Sequence, residues 1–254
     1  MNVFGMRFDP VRIEQAVARV VSMAKTPGAP RYVVTPNVDH VLIIRKDARF
    51  RKAYDEAAMV LADGWPVVLG SRMLGEVIPE RVAGSDLAPG VFAAANPADP
   101  LRVFLCGAMP GVADRAARII EDTYPGVRIV GTHSPPFGFE TDATENRAIF
   151  EKLAAAKPEL LILGFGSPKQ EIWVNQHLPE VTANVVLCVG ATIDFIANEQ
   201  RRAPSFLRRI GLEWAFRMML NPKRLGPRYA TNAVEFPKIV LREWLDRRSA
   251  WQHR

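Results

Sequence analysis

Asp63 and Gly64 close an apolar run, Met59–Ala62, that reads as a strand. A carboxylate at a strand's carboxyl end, beside a glycine, can act as a general base toward a hydroxyl group. The same pair can instead form an Asx turn or cap a helix starting at Trp65. Asn37, after Thr35-Pro36, has the same double character: a ligand contact, or the N-cap of a helix beginning near Val38. Gly164-Phe165-Gly166-Ser167-Pro168 follows another apolar run. Its glycines would let the backbone approach a ligand, Pro168 suits a first helical turn, and free N–H groups there attract an anion. An ordinary tight strand-to-helix turn would look alike. Arg81, in Glu80-Arg81-Val82-Ala83-Gly84-Ser85-Asp86, is either a surface arginine or one that reaches a diphosphate. Arg217, Arg224 and Arg228 offer guanidinium forks that match phosphate oxygens at two points, or they belong to a solvated or lipid-facing basic surface.

What is missing narrows the chemistry. The chain has no Asp-X-Asp, a motif that can hold a divalent ion on a leaving diphosphate. Side-chain cations and helix N-termini would have to replace it. A Walker loop and the spaced glycines of a dinucleotide fingerprint are both absent, which disfavours a nicotinamide dehydrogenase. Serine hydrolase motifs are absent too. His40, His133, His177 and His253 lack metal-ligand spacing, so neither a metal nor a cofactor is expected. Cys106 and Cys188 each sit in an apolar run and read as buried free thiols.

The elements that must position these residues are legible as alternation. Strands are expected at Tyr32–Thr35, Met59–Ala62, Val103–Cys106, Val127–Val130, Leu160–Gly164 and Val185–Val189. Helical patterns fall at Pro10–Ala24, Val38–Ala57, Gly111–Tyr124, Glu145–Ala156 and Pro168–His177. This is the signature of βαβ units, hence an α/β fold: a Rossmann-like, doubly wound, mostly parallel sheet with helices on both faces. Ligands of such sheets bind beyond the carboxyl ends of the strands, where Asp63, Asn37 and Gly164–Pro168 fall.

The 254 residues are 48% hydrophobic and 24% charged, as in a globular protein. No run reaches the roughly 18–20 apolar residues of a membrane span, and Met1–Pro10 lacks a signal-peptide layout. Residues 201–254 carry 13 Lys/Arg against 4 Asp/Glu, net +9, whereas residues 1–200 carry 20 against 23, net −3. We therefore expect a core over 1–200 and a basic helical C-terminal appendage over 201–254, with a last helix near Phe236–Trp251. The tail would attract phosphates, nucleic acid or an anionic membrane face. Its cations alternate with Trp, Phe and Met, as in an interfacial helix, and no nucleic-acid motif appears.

Several strings, in order, resemble the WecG/TagA/CpsF family of glycosyltransferases. They are Thr35-Pro36-Asn37-Val38-Asp39-His40, Leu61-Ala62-Asp63-Gly64, Arg81 to Leu87, Gly164 to Glu171, Val189-Gly190-Ala191, Arg202-Ala203-Pro204, Gly211-Leu212-Glu213-Trp214, and Arg217 through Arg224 to Arg228-Tyr229. The resemblance spans about residues 30 to 230. It implies an inverting transfer from a UDP-sugar donor to a polyprenyl-diphosphate-linked acceptor, by a protein peripheral on the inner, cytoplasmic face of the membrane. Products would be teichoic acid linkage units, enterobacterial common antigen or exopolysaccharide, and the donor sugar N-acetylmannosamine, its uronic acid or glucose. Asp63 would be the base and Gln170 a donor contact. Thr35, Asn37 and Arg81 would line the pocket, while Arg217, Arg224 and Arg228 would close over the site and stabilise departing UDP without a metal. The partners implied are thus the two substrates and an anionic membrane surface, not nucleic acid, with a homo-oligomer conceivable through the tail-docking face. Trp65-Pro66 departs from the smaller or aliphatic residues expected there, which would alter the acceptor sugar if those positions line the acceptor pocket. Two rival classes are another Rossmann-like nucleotide-cofactor enzyme and a nucleic-acid-binding module.

Overall fold

The structure, a computed structural model, describes residues 1–209 and 211–252, apart from the side chains of Ser205, Arg209, Arg224 and residues 250–252. A short antiparallel hairpin, β1 (Asn2–Val3) and β2 (Met6–Arg7), precedes helix α1 (Ile13–Lys25). There follow β3 (Arg31–Val34), α2 (Val38–Ile43), α3 (Ala48–Asp55), β4 (Met59–Val60), α4 (Trp65–Met73) and α5 (Gly84–Ala93). The second half holds β5 (Leu101–Gly107), α6 (Val112–Thr123), β6 (Val127–His133), α7 (Ala143–Ala156), β7 (Leu160–Gly164), α8 (Lys169–His177), β8 (Val185–Cys188) and α9 (Thr192–Ile196). The tail forms α10 (Ser205–Arg209), α11 (Glu213–Leu220) and α12 (Pro222–Gln252).

Strands β3 to β8 are the six expected ones, and they build one parallel sheet in the order β4-β3-β8-β7-β5-β6. Alternating side chains divide the core between two faces. Tyr32, Val34, Leu161, Leu163 and Val186 pack under α2, α3, α4, α7 and α8. Val33, Leu160, Ile162, Val185 and Leu187 pack under α1, α5, α6 and α9. Helices on both faces make the sheet doubly wound.

Two expected helices are corrected. The stretch read as one helix over 38–57 is α2 and α3, because the Asp47 carboxylate accepts from the N–H groups of Arg49 and Phe50 and starts a new helix. The last helix starts at Pro222 rather than near Phe236, running through Pro227 and Pro237. An interior proline costs about 3 kcal/mol. Burial of Leu225, Phe236, Ile239 and Val240 offsets this, each apolar side chain contributing about 1.5–3 kcal/mol. Phe236, Ile239 and Val240 join the same core cluster as Phe4, Val67 and Val68.

The rim of the sheet is tight. Gly107 has φ +129°, and a Cβ there would lie 2.6 Å from the Gly164 carbonyl carbon. Gly107→Ala is expected to destabilise the fold by about 1–3 kcal/mol, from strain and overpacking together. A thermal melt checks this; an unchanged melting temperature would contradict it.

Candidate active site

Asp63 lies beyond the carboxyl end of β4, its backbone N–H bonded to Pro36 O at 2.8 Å beyond β3. The Asx-turn and helix-cap alternative is not what forms. Gly64 is the N-cap of α4 and no side chain caps it. Arg81 instead donates to the Asp63 carboxylate at 3.4 Å. That carboxyl is pushed up to about 6, first by burial and also by Glu213 and Asp86, while Arg81 and Arg217 oppose the shift. It retains an opening, with 30% of its side chain exposed.

Arg81 is no surface arginine. Only 14% exposed, it also contacts Asp86 at 2.7 Å and Glu213 at 3.8 Å. From the root of the tail, Arg202 donates to Ser85 O (3.0 Å), Ser85 Oγ (2.7 Å) and Asp86 (2.6 Å). Arg208 reaches Asp86 at 3.1 Å. Burial pushes the Asp86 carboxyl up, but Arg202, Arg81 and Arg208 outweigh it and hold the group below the usual range. The tail is thus bound to the sheet's rim by a lattice of guanidinium and carboxylate groups.

Arg217 acts on the charge of Asp63 and lies over the Phe195 ring, 5.6 Å from its centroid. It enters no ion pair among the described residues. Arg228 pairs with Asp39 at 2.8 Å. The Tyr229 hydroxyl is raised by burial and feels the charges of Arg217, Arg228, Glu213 and Asp39. The side chain of Arg224 is outside the described residues. The tail also covers Trp65: a Cβ on Gly211, which has φ +80°, would fall 2.6 Å from the indole Cδ1. The unexpected tryptophan is therefore a seat for the tail.

Thr35 is buried at the end of β3. Asn37 caps α2, its Oδ1 accepting from Asp39 N at 3.0 Å. Capping occupies that oxygen and leaves the amide N–H groups, so cap and ligand contact are compatible at this residue. Its Cβ lies 4.0 Å from where a Cβ on Gly64 would stand. His40, in the same string, bonds Tyr54 Oη at 2.8 Å through Nδ1. Burial, aided by Arg228, lowers it to about 3, so the imidazole stays neutral.

Gln170 is buried and internally engaged: it accepts from Gly190 N at 3.2 Å and donates to Glu171 at 2.9 Å. It ties the loop after β7 to the loop after β8. Glu171 is fully buried, and burial pushes it up to about 7 against the Gln170 hydrogen bond. The buried Tyr54 hydroxyl is pushed up by burial and, to a lesser degree, by the charges of Glu171 and Asp63.

Asp86, Arg202, Arg208 and Glu213 are the functional-looking residues that the sequence leaves without roles. Glu213 carried a signal, as the lone acid between Arg201 and Arg228. A separate concavity of about 420 Å³ on the α7–α8 flank, lined by Asn146, Phe150 and His177 among others, contains none of the candidate catalytic or substrate-binding residues. Among the described residues, no group of three or more His, Cys, Asp or Glu is arranged to hold a metal ion. No helix among them is long and apolar enough to cross a membrane.

The family model described as "Glycosyl transferase WecG/TagA/CpsF family" matches residues 1–250. The N-acetylglucosaminyldiphosphoundecaprenol N-acetyl-beta-D-mannosaminyltransferases of Staphylococcus aureus strains NCTC 8325 / PS 47, COL and MSSA476 are similar. Each is 25% identical over 227 residues, covering 89% of this chain and 87% of the relative.

Proposed function

We propose, from the premise that the chain belongs to the WecG/TagA/CpsF family of glycosyltransferases, that Asp63 is the general base of an inverting sugar transfer. The donor is a UDP-sugar of the N-acetylmannosamine type, and the acceptor an N-acetylglucosamine carried on a polyprenyl diphosphate. The relatives' names, with N-acetyl-beta-D-mannosaminyl transfer onto N-acetylglucosaminyldiphosphoundecaprenol, support both substrates. An α-linked UDP donor would give such a β product by inversion.

The observation that carries the reading is the half-open Asp63 carboxyl, raised to about 6 and faced by Arg81 and Arg217. A base poised just below neutrality is ionised at pH 7 yet retains proton affinity. Asp63 takes the proton of the acceptor hydroxyl as its oxygen forms the bond to the anomeric carbon. The bond from that carbon to the donor phosphate breaks on the opposite face, and the electron pair leaves with UDP. Arg217, with Arg224 and Arg228 on the same tail, meets the charge that develops on the diphosphate. Guanidinium groups take the place of a cation held by Asp-X-Asp, so transfer should tolerate a chelator. Thr35 and Asn37 line the pocket. Gln170 acts on the donor side at one remove, its tie to Gly190 N holding the rim of the pocket in place.

Basic charge interleaved with apolar residues in 201–254 fits docking on an anionic leaflet at the cytoplasmic face, where lipid-linked acceptors are presented. The test is transfer of label from UDP-N-acetylmannosamine, its uronic acid and UDP-glucose to a short-chain prenyl-diphospho-N-acetylglucosamine. A disaccharide product is expected with the N-acetylmannosamine donor, with or without EDTA. No product from any UDP-sugar, together with no thermal shift from UDP, would contradict the reading.

A further inference from the structure

Exposed apolar side chains are unevenly spread. Among the described residues, the large ones fall almost wholly in two stretches. One is α4 with the turn after it, where Leu69, Met73 and Val77 are each more than half exposed; the other is residues 206–245. Outside these, only Met109 and Phe137 are exposed to a similar degree.

The two stretches meet. Val67, Val68, Gly70 and Ser71 form the buried side of α4. Gly70 accommodates Phe236 and Val240 of α12, either of which a Cβ would meet within 3.3 Å. Arg247 of α12 bonds Leu74 O at 3.1 Å and Glu76 at 3.2 Å. At the other end of α4, Gly211 rests on Trp65. The tail therefore grips the helix at both ends and leaves a row uncovered: Leu69 and Met73 stand four and eight residues beyond Trp65, on one side of the helix. That helix starts two residues after Asp63. Its nine residues span about 13 Å, so the apolar row leads from the base to the surface.

Positive charge accompanies the row. Arg72 is exposed beside Met73, and the tail that grips α4 carries net +9. Exposed apolar surface with polar groups at its rim marks a place of association, and the sign of Arg72 and of the tail's net charge matches an anionic leaflet.

We propose that α4 is the core-borne half of a two-part membrane-docking surface. Leu69, Met73 and Val77 enter the boundary between headgroups and acyl chains together with the apolar residues of the tail. The crevice of Asp63 then opens at headgroup level, where a lipid-linked diphosphate lies. This rests on the lipid-linked acceptor proposed above, and extends docking from the tail to the glycosyltransferase core.

The test uses the full chain and a Leu69→Ser/Met73→Ser double variant, both positions being solvent-exposed. Co-sedimentation is measured with vesicles of phosphatidylglycerol and phosphatidylcholine, and with phosphatidylcholine alone. Turnover is measured on a long-chain acceptor embedded in the anionic vesicles and on a short-chain acceptor in solution. The variant is expected to bind anionic vesicles about tenfold more weakly and to lose embedded-acceptor turnover in proportion. Short-chain turnover and the thermal shift with UDP should be unchanged. Equal vesicle binding by the two proteins would overturn the proposal. So would a dimer of the unaltered chain that the variant breaks into monomers without change in vesicle binding, since α4 would then pair two copies. The vesicle measurement needs no catalysis, so an unaltered chain that transfers no sugar would count against the proposed reaction and not against this surface.

Discussion

Asp63→Asn is expected to lower turnover by about 10²–10⁴-fold, the range typical of a positioned proton acceptor, with the fold and UDP affinity retained. Asparagine keeps the shape of the side chain and removes only its basicity. Arg81 loses one partner but keeps Asp86 at 2.7 Å and Glu213 at 3.8 Å, so no buried charge is stranded. The sign of the stability change follows from the raised carboxyl, near 6 in the fold. Below the ordinary carboxylate value, the group is neutral both folded and unfolded and costs nothing. As pH rises through about 6, the folded state must carry a charge that burial disfavours, and that margin of stability is lost. The variant escapes this loss, so its melting temperature at pH 7 should equal or slightly exceed that of the unaltered chain. Steady-state transfer and a thermal melt check both halves, and turnover within threefold of normal would remove Asp63 from its role.

Arg217→Ala is expected to lower kcat by about 10²–10³-fold, the scale for losing one donor to a developing anion. Arg217 is a cleaner probe than Arg81 or Arg202. Those two are bound into the lattice with Asp63, Asp86 and Glu213: removing Arg81 strips Asp63 of its ion pair, and removing Arg202 takes one partner each from Asp86 and Glu213. Arg217 lies over the Phe195 ring and joins no ion pair among the described residues, so its loss should scarcely change the melting temperature. Arg217→Lys keeps the charge but not the fork, and should restore only part of the rate. Burst and steady-state kinetics with a UDP inhibition constant check the assignment. An unaltered kcat with weakened UDP binding would mean that Arg217 serves ground-state binding and not departure of the leaving group.

How much of this the sequence foretells depends on where burial is decided. The strands are legible as short apolar runs, most plainly the central β7 and β8, whose Leu160–Leu163 and Val185–Cys188 are buried throughout; the edge strand β6, with Arg128, Gly131 and Thr132, is less so. The loops at their carboxyl ends are legible for the same reason, since a glycine or an asparagine interrupts the run. Helix α5 is not, because Gly84, Pro89 and Gly90 look like breakers. They are there for packing: a Cβ on Gly84 would meet Val189 at 2.8 Å, and one on Gly90 would meet Val17 at 2.8 Å. Pro227 and Pro237 mask α12 similarly, since tertiary burial outweighs local propensity. The two-residue strands of the N-terminal hairpin are too short to show a period.

For the site, the local motifs placed Asp63 and Asn37 at the rim, but not their company. Glu213 lies 150 residues from Asp63 along the chain, and only the folding of α11 over the rim brings its charge to bear. Reading each cation separately, as surface or ligand, misses that Asp86 gathers Arg81, Arg202 and Arg208 into one structure. Gln170 shows the converse. It is singled out as a donor contact, yet both ends of its amide already hold the rim together.

The most direct test of Asp63 as the base is the pH dependence of kcat/KM for the acceptor, which reports the ionisation of the free enzyme. The unaltered chain should show an acid limb centred near the value of about 6 set by the surroundings of Asp63. The residual rate of the Asp63→Asn variant should show no such limb. A limb near 6 that survives in the variant would assign the titration, and the proton transfer, to another group.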